Sequence, residues 1–184
     1  MTTASAGESE VAARGPDAGR IRLPAIVLGF GVGGFVDGIL LHQILQWHNM
    51  LSSKVAPIDL VAMKYNMVWD GIFHAFTWMM TAAGLALLWR AGLDARVPWS
   101  TRSFCGALSL GWGLFNVVEG VIDHHLLGMH HVHPGANEMA WDIGFLVFGA
   151  ALIALGVLAI RRGRSDTATL GDLRVPPGAR AHHA

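Results

Sequence analysis

Four long stretches of the chain carry few polar residues, and short polar connectors separate them. They run from about Pro24 to Trp47, Ala62 to Trp89, Ser103 to Leu127 and Glu138 to Ile160. Each supplies the roughly 20 helical residues needed to cross the hydrocarbon core of a bilayer. The pattern predicts an all-α fold: a transmembrane four-helix bundle occupying residues 23–161, with no soluble domain. The polar ends, residues 1–22 and 162–184, read as disordered tails. Arg20 and Arg22 before the first stretch resemble the basic start of a secretory signal, but the stretch is too long for one and contains Asp37 and His42. It is therefore expected to be retained.

The positive charges give an orientation, because cytoplasmic loops retain lysine and arginine. Arg20 and Arg22 precede the first helix, Arg90, Arg96 and Arg102 lie between the second and third, and Arg161, Arg162 and Arg164 follow the fourth. Lys54 and Lys64 alone fall on the other side. Both tails are expected to be cytoplasmic, in a multi-pass protein of the inner (plasma) membrane. Trp47, Tyr65, Trp69 and Trp141 at one level and Trp89 and Trp99 at the other fit two interfacial aromatic belts.

The first and third stretches align without a gap, which puts Asp37-Gly38 on Glu119-Gly120, His42 on His124 and His48 on His130. The second and fourth align in the same way at a different offset, putting Met67, Trp69, Asp70, Phe73 and Phe76 on Met139, Trp141, Asp142, Phe145 and Phe148. Apolar composition alone does not match Asp/Glu, Gly, His and Trp positions like this. The sequence reads as two pseudo-symmetric helical hairpins, about 24–90 and 103–161, related by an axis along the membrane normal.

The polar residues inside the stretches carry the chemistry. His42, Asp70, His74, His124, His125 and Asp142 fall in the outward half of the predicted bundle, with Asp37, Asn116 and Glu119 somewhat deeper. A charged side chain at mid-bilayer costs about 2.5–3.5 kcal/mol on insertion scales, so it faces protein or water and is paired. Asp37, Asp70, Glu119, Asp123 and Asp142 crowd one layer, and a bound cation or shared protons would relieve their repulsion. Asp70 and His74 stand four residues apart on one helical face, as do Glu119 and Asp123, with Asn116 on nearly the same stripe. At about 100° per residue, however, His42 lies roughly 140° from Asp37, and His124 is displaced likewise from Glu119. On ideal α-helices one ion is not held by both members of such a pair, and the acids and histidines form adjacent layers or face different neighbours.

The run His124 to His133 is the most specific local signal, since imidazole is the commonest ligand of zinc, copper, iron and nickel. His48, His130 and His131 are secondary candidates beside Asn116 and Asp123. Met50 and Met129 read as packing residues. Gly29 and Gly33, then Gly34 and Gly38, have the small-xxx-small spacing of close helix contacts in lipid.

Composition agrees with a membrane class: 53% of residues are hydrophobic and 14% charged, and the formal net charge of zero gives no footing for a nucleic-acid partner. The single cysteine, Cys105, excludes an internal disulfide and a multi-thiolate metal site, and reads as a core residue.

The segments Asp37 to His48, Trp69 to His74 and Phe115 to His125 resemble the bacterial predicted-membrane-protein family catalogued as domain of unknown function 2243. The resemblance implies a four-span inner-membrane protein without an assigned activity. By analogy it points to copper-oxidase assembly, and so to respiratory-chain or copper-handling membrane proteins as partners. The expected function is a transition-metal site, copper or zinc before iron or haem, in metal handling or respiratory oxidase assembly. Two alternatives stand beside it: a proton or cation pathway through Asp37, Glu119 and Asp70, and a membrane oxidoreductase with bis-histidine haem between His42 and His124. No reaction is named by the residues themselves.

Overall fold

The computed structural model describes residues 19–165 and 168–169. Its first helix, α1, Gly19–Asp37, continues without a break into a wider helical segment, π1, Gly38–Ile44. Next comes α2, Leu60–Gly92, which begins where the Asp59 side chain accepts hydrogen bonds from the backbone N–H groups of Val61 and Ala62 at 2.8 and 2.9 Å. A short strand, β1, Pro98–Trp99, leads to α3, Thr101–Glu119, capped by Ser100, which accepts from the Ser103 N–H at 3.1 Å. Like α1, α3 runs into a wider segment, π2, Gly120–Leu126. Helix α4, Glu138–Arg162, a short 3-10 turn and β2, Ala168–Thr169, antiparallel to β1, complete the described chain.

Among the described residues, four helices, spanning Gly19–Ile44, Leu60–Gly92, Thr101–Leu126 and Glu138–Ser165, are long and apolar enough to cross a membrane. The first starts at Gly19, so Arg20 and Arg22 belong to the helix and not to a tail. Of the expected tails, residues 1–22 and 162–184, the parts 1–18, 166–167 and 170–184 lie outside the described residues. In the most apolar window of each span, half of α1 and 44% of α3 are buried, against 17% of α2 and 11% of α4. Thus α1 and α3 form a central pair, with α2 packed on α1 and α4 on α3.

Glycine allows these approaches. A Cβ at Gly29 would collide with the Leu108 carbonyl, and one at Gly111 with the Ile26 carbonyl, so the two central backbones touch at both places. The outer helices use the same device: a Cβ at Gly84 would lie 2.6 Å from the Leu28 backbone, and one at Gly156 2.7 Å from the Leu110 N. Gly33, Gly34 and Gly38 face Trp112, Thr77 and His74, which gives the small-residue spacing of α1 its physical role. Large apolar side chains such as Met67, Trp78, Val147 and Leu155 point outward, the reverse of a water-soluble bundle. Cys105 is also exposed, not a core residue: Gly106 and Ala107 beside it make the buried face of α3.

At one end of the bundle, Ile21, Ala91 and Val97 pack against Trp99, and Asp94 accepts from Arg20 Nη1 at 2.6 Å and from Arg96 Nε at 3.1 Å. The hydrogen bonds from Arg96, then that from Arg20, hold the Asp94 carboxyl well below the usual carboxylate range. The polar chemistry lies at the other end, where α1 and α3 finish and α2 and α4 begin.

Candidate metal centre

The two wider helical segments bring this site together. In π1 the Leu45 N–H donates to Leu40 O at 2.8 Å, and in π2 the Leu127 N–H donates to Ile122 O at 2.8 Å, each five residues back. Closing a turn over five residues brings positions i and i+5 onto one face. His42 Nε2 thus comes within 3.3 Å of Asp37 Oδ2, and His124 Nε2 within 3.0 Å of Glu119 Oε1. The expectation that each acid and its histidine lie in separate layers fails here, because it assumes α-helical geometry. Each π segment opens on a glycine: a Cβ at Gly38 would lie 2.8 Å from His74 Nε2, and one at Gly120 2.9 Å from Leu146 Cδ2. Each is followed by a left-handed residue that turns the chain back over the bundle, Gln46 at φ 51° and Gly128 at φ 53°.

The returning connectors add His48 and His130. The rings of His42 and His48 are 4.4 Å apart, those of His48 and His130 stack at 4.5 Å, and those of His130 and His124 are 4.8 Å apart. All four imidazoles are buried, as are Asp37, Asp70, Glu119 and Asp142. His42, His48 and His130 offer one donor atom each within 4.8 Å of one another, and so do Glu119, His124 and His130. His130 Nε2 lies 2.9 Å from Glu119 Oε1. Separations of 2.9–3.3 Å match the edge between neighbouring ligands on one ion, about 3.0–3.5 Å for metal–ligand bonds of about 2.0–2.2 Å.

The outward nitrogen of each ring meets an oxygen. His48 Nδ1–H donates to the Val132 carbonyl at 2.8 Å and His130 Nδ1–H to the Met50 carbonyl at 3.2 Å. A carbonyl only accepts, so these contacts place a proton on each Nδ1; His48 Nε2 is left without a partner, while His130 Nε2 meets Glu119 Oε1 at 2.9 Å. His42 Nδ1 lies 3.1 Å from Asp70 Oδ1, and His124 Nδ1 3.5 Å from Asp142 Oδ1. The two carboxylates are fixed in turn. Asp70 accepts from Met50 N at 2.7 Å and from Asn49 Nδ2 at 2.7 Å; Asp142 accepts from Val132 N at 2.9 Å and pairs with His131 Nδ1 at 2.6 Å. Burial, with His130 and His42 adding to it, holds the His48 imidazole well below its usual range, so it stays neutral.

Inside this shell, Asp37 Oδ2, His42 Nε2, His48 Nε2, Glu119 Oε2 and both nitrogens of His124 are buried without a hydrogen-bond partner. Leaving one such group unsatisfied costs about 1–3 kcal/mol, and more for a charged one. These unpartnered atoms lie among two groups that share His130, one with His42 and His48 and the other with Glu119 and His124, and either group could hold a metal ion.

Of the residues singled out from sequence, Asp37, His42, Asp70, Glu119, His124 and Asp142 come together, and His131 joins through Asp142. His48 and His130, secondary in the sequence reading, sit at the centre. The ungapped match of the first stretch to the third already paired them, but nothing in a connector's sequence says that it folds back into the bundle. Four candidates stand apart. His74 Nδ1 is taken by the Asp70 backbone carbonyl at 2.6 Å, and His125 is exposed. Asn116 is buried below the cluster with its Oδ1 unpaired, and Asp123 lines a cleft beside it. The Met50 and Val132 carbonyls escaped the sequence reading, since every residue has one.

The family model described as predicted membrane protein (DUF2243) matches residues 24–163, which include every residue of the cluster. No curated protein and no solved structure matches the chain.

Proposed function

The chain belongs to this predicted membrane protein family, and from that premise we propose that the buried histidine–carboxylate cluster binds a transition-metal ion within the membrane. The observation that carries the reading is the common construction of four rings: His42, His48, His124 and His130 each turn one nitrogen to an oxygen of the surrounding shell and the other toward a shared interior. Metal-binding histidines are oriented in this way, by a carboxylate or a carbonyl on the distal nitrogen. Imidazole with few carboxylates suits copper or zinc, then iron. Such an ion would supply Lewis-acid or redox chemistry, and the role in view is metal handling or respiratory oxidase assembly in the outer half of the inner membrane. Haem between His42 and His124 fits poorly, because the His48 and His130 rings lie within 6.4 Å of both and occupy the space of a porphyrin plane.

The same reading takes the two hairpins as a repeat that builds one site from both halves. Support comes from contacts that recur between residues the two alignments match. His42 to Asp70 answers His124 to Asp142, Met50 N to Asp70 answers Val132 N to Asp142, and His48 to Val132 O answers His130 to Met50 O.

A second reading has its own observation. Asp70, His42 and Asp37 on one side, and Asp142, His124, Glu119 and His130 on the other, alternate acid and imidazole at 2.9–3.5 Å, as a proton relay would. Metal analysis and an absorption spectrum of the detergent-purified protein separate the two. Stoichiometric copper, zinc or iron that resists dialysis is the expected result, whereas a protein that takes up none of these on reconstitution leaves the relay.

A further inference from the structure

Because α2 packs on α1 and α4 on α3, a seam remains between α2 and α3. In it lies a cavity of about 260 Å³. Trp69, Phe73, Phe76 and Phe115 line it beside the aliphatic Ile72 and Val118, and Glu119 and Asp123 also line it. Glu119 belongs to the cluster at the head of the cleft: it is only 5% exposed, its Oε1 lies against His124 and His130, and its Oε2 is buried with no hydrogen-bond partner. Asp123 is half-buried on the same wall. The seam between α1 and α4 is built differently. There Trp112 packs against Gly33 and edge-on to Phe148, and Leu41 stands where the match of the first stretch to the third would put the counterpart of Asp123.

We propose that the cleft between α2 and α3 binds a hydroxylated aromatic ring carried on an apolar tail, a molecule of the quinol class, with a ring hydroxyl donating to the Asp123 carboxylate. Three features select this chemistry. The walls suit a flat ring, which prefers offset or edge-on contact with aromatic neighbours. The acids are acceptors when ionised, so the ligand must bring a donor. A route through hydrocarbon burdens a cationic head with several kcal/mol, whereas a neutral hydroxyl carries a donor at far lower cost. The cavity and the Asp123 carboxylate lie outside the grouped donors of the proposed ion, so the cleft stands apart from the metal reading.

The full chain in phospholipid nanodiscs, under argon, tests it with two probes: a quinol bearing a ten-carbon tail and the same molecule with both hydroxyls methylated. Saturable quinol binding above that of empty nanodiscs is expected. The ether should bind about tenfold more weakly or worse, as losing a hydrogen bond to a charged group implies. Val118→Trp and Ile72→Trp fill the cleft from opposite walls and should each abolish quinol binding, with circular dichroism and gel filtration reporting intact protein. Equal binding of quinol and ether would mean a groove for any apolar chain and would overturn the proposal, as would quinol binding that survives both filling variants. The comparison of the two probes needs no variant, so a misfolded substitution cannot blunt it. Metal content measured on the same samples keeps the outcomes apart: quinol binding to a chain that takes up no metal leaves the cleft standing and removes the metal reading.

Discussion

A histidine that binds a metal needs a partner for its other ring nitrogen, and Asp70 and Asp142 are the side chains placed to serve His42 and His124. Asp70→Asn and Asp142→Asn should therefore weaken metal binding by about 10–100-fold without removing a ligand, a loss that competition with a calibrated chelator would measure. His42→Ala and His124→Ala should each lower metal occupancy to a similar extent, and the double variant should add little, because ligands of one site act as a unit. Equal half-losses that sum in the double variant would instead indicate two independent sites. His74→Ala and His125→Ala should retain the metal, since neither ring belongs to the two groups of converging donor atoms and His125 is exposed. The sequence named both as leading candidates from their spacing and depth, and a half-turn of geometry decided otherwise. With π1 and π2 in place, the residue five positions after each acid takes the inward face, whereas its immediate neighbour His125 is turned out.

At the scale of elements, the four helices were legible because hydrophobic length alone marks a span, and their observed ends fall within a few residues of the expected ones. The π segments were not legible. A one-turn change of hydrogen-bonding pattern leaves composition and hydropathy untouched, and only Asp37-Gly38 and Glu119-Gly120 hinted at a common backbone event. The close helix crossings were readable in kind, through the glycine spacing, but not in partner. They give a sharp contrast. Gly111→Leu must push apart the α1 and α3 backbones and should destabilise the bundle by about 1–3 kcal/mol or more, seen as a lower melting temperature in detergent. Gly144→Ala meets nothing within 4 Å and gains helix propensity, so its melting temperature should hold or rise.

For the whole molecule, charge gives an expected direction of insertion, in which the end flanked by arginines is cytoplasmic and the histidine cluster faces outward. In a background with Cys105 replaced, a cysteine at Gly135 should react with an impermeant reagent added outside cells, and one at Ala95 should not; the reverse pattern would put the cluster on the cytoplasmic face. The exchange of carbonyls between the connectors, His48 to Val132 and His130 to Met50, also has a consequence in time. While the ribosome is still making the second half, the first hairpin has its His48 but not the oxygen that sets that ring's tautomer, so of its two cluster histidines only His42, through Asp70, is fully dressed. Loading with an ion would then wait for the last loop to leave the translocon, so that a chain stalled or clipped midway would reach the bilayer empty and a loaded one would be complete.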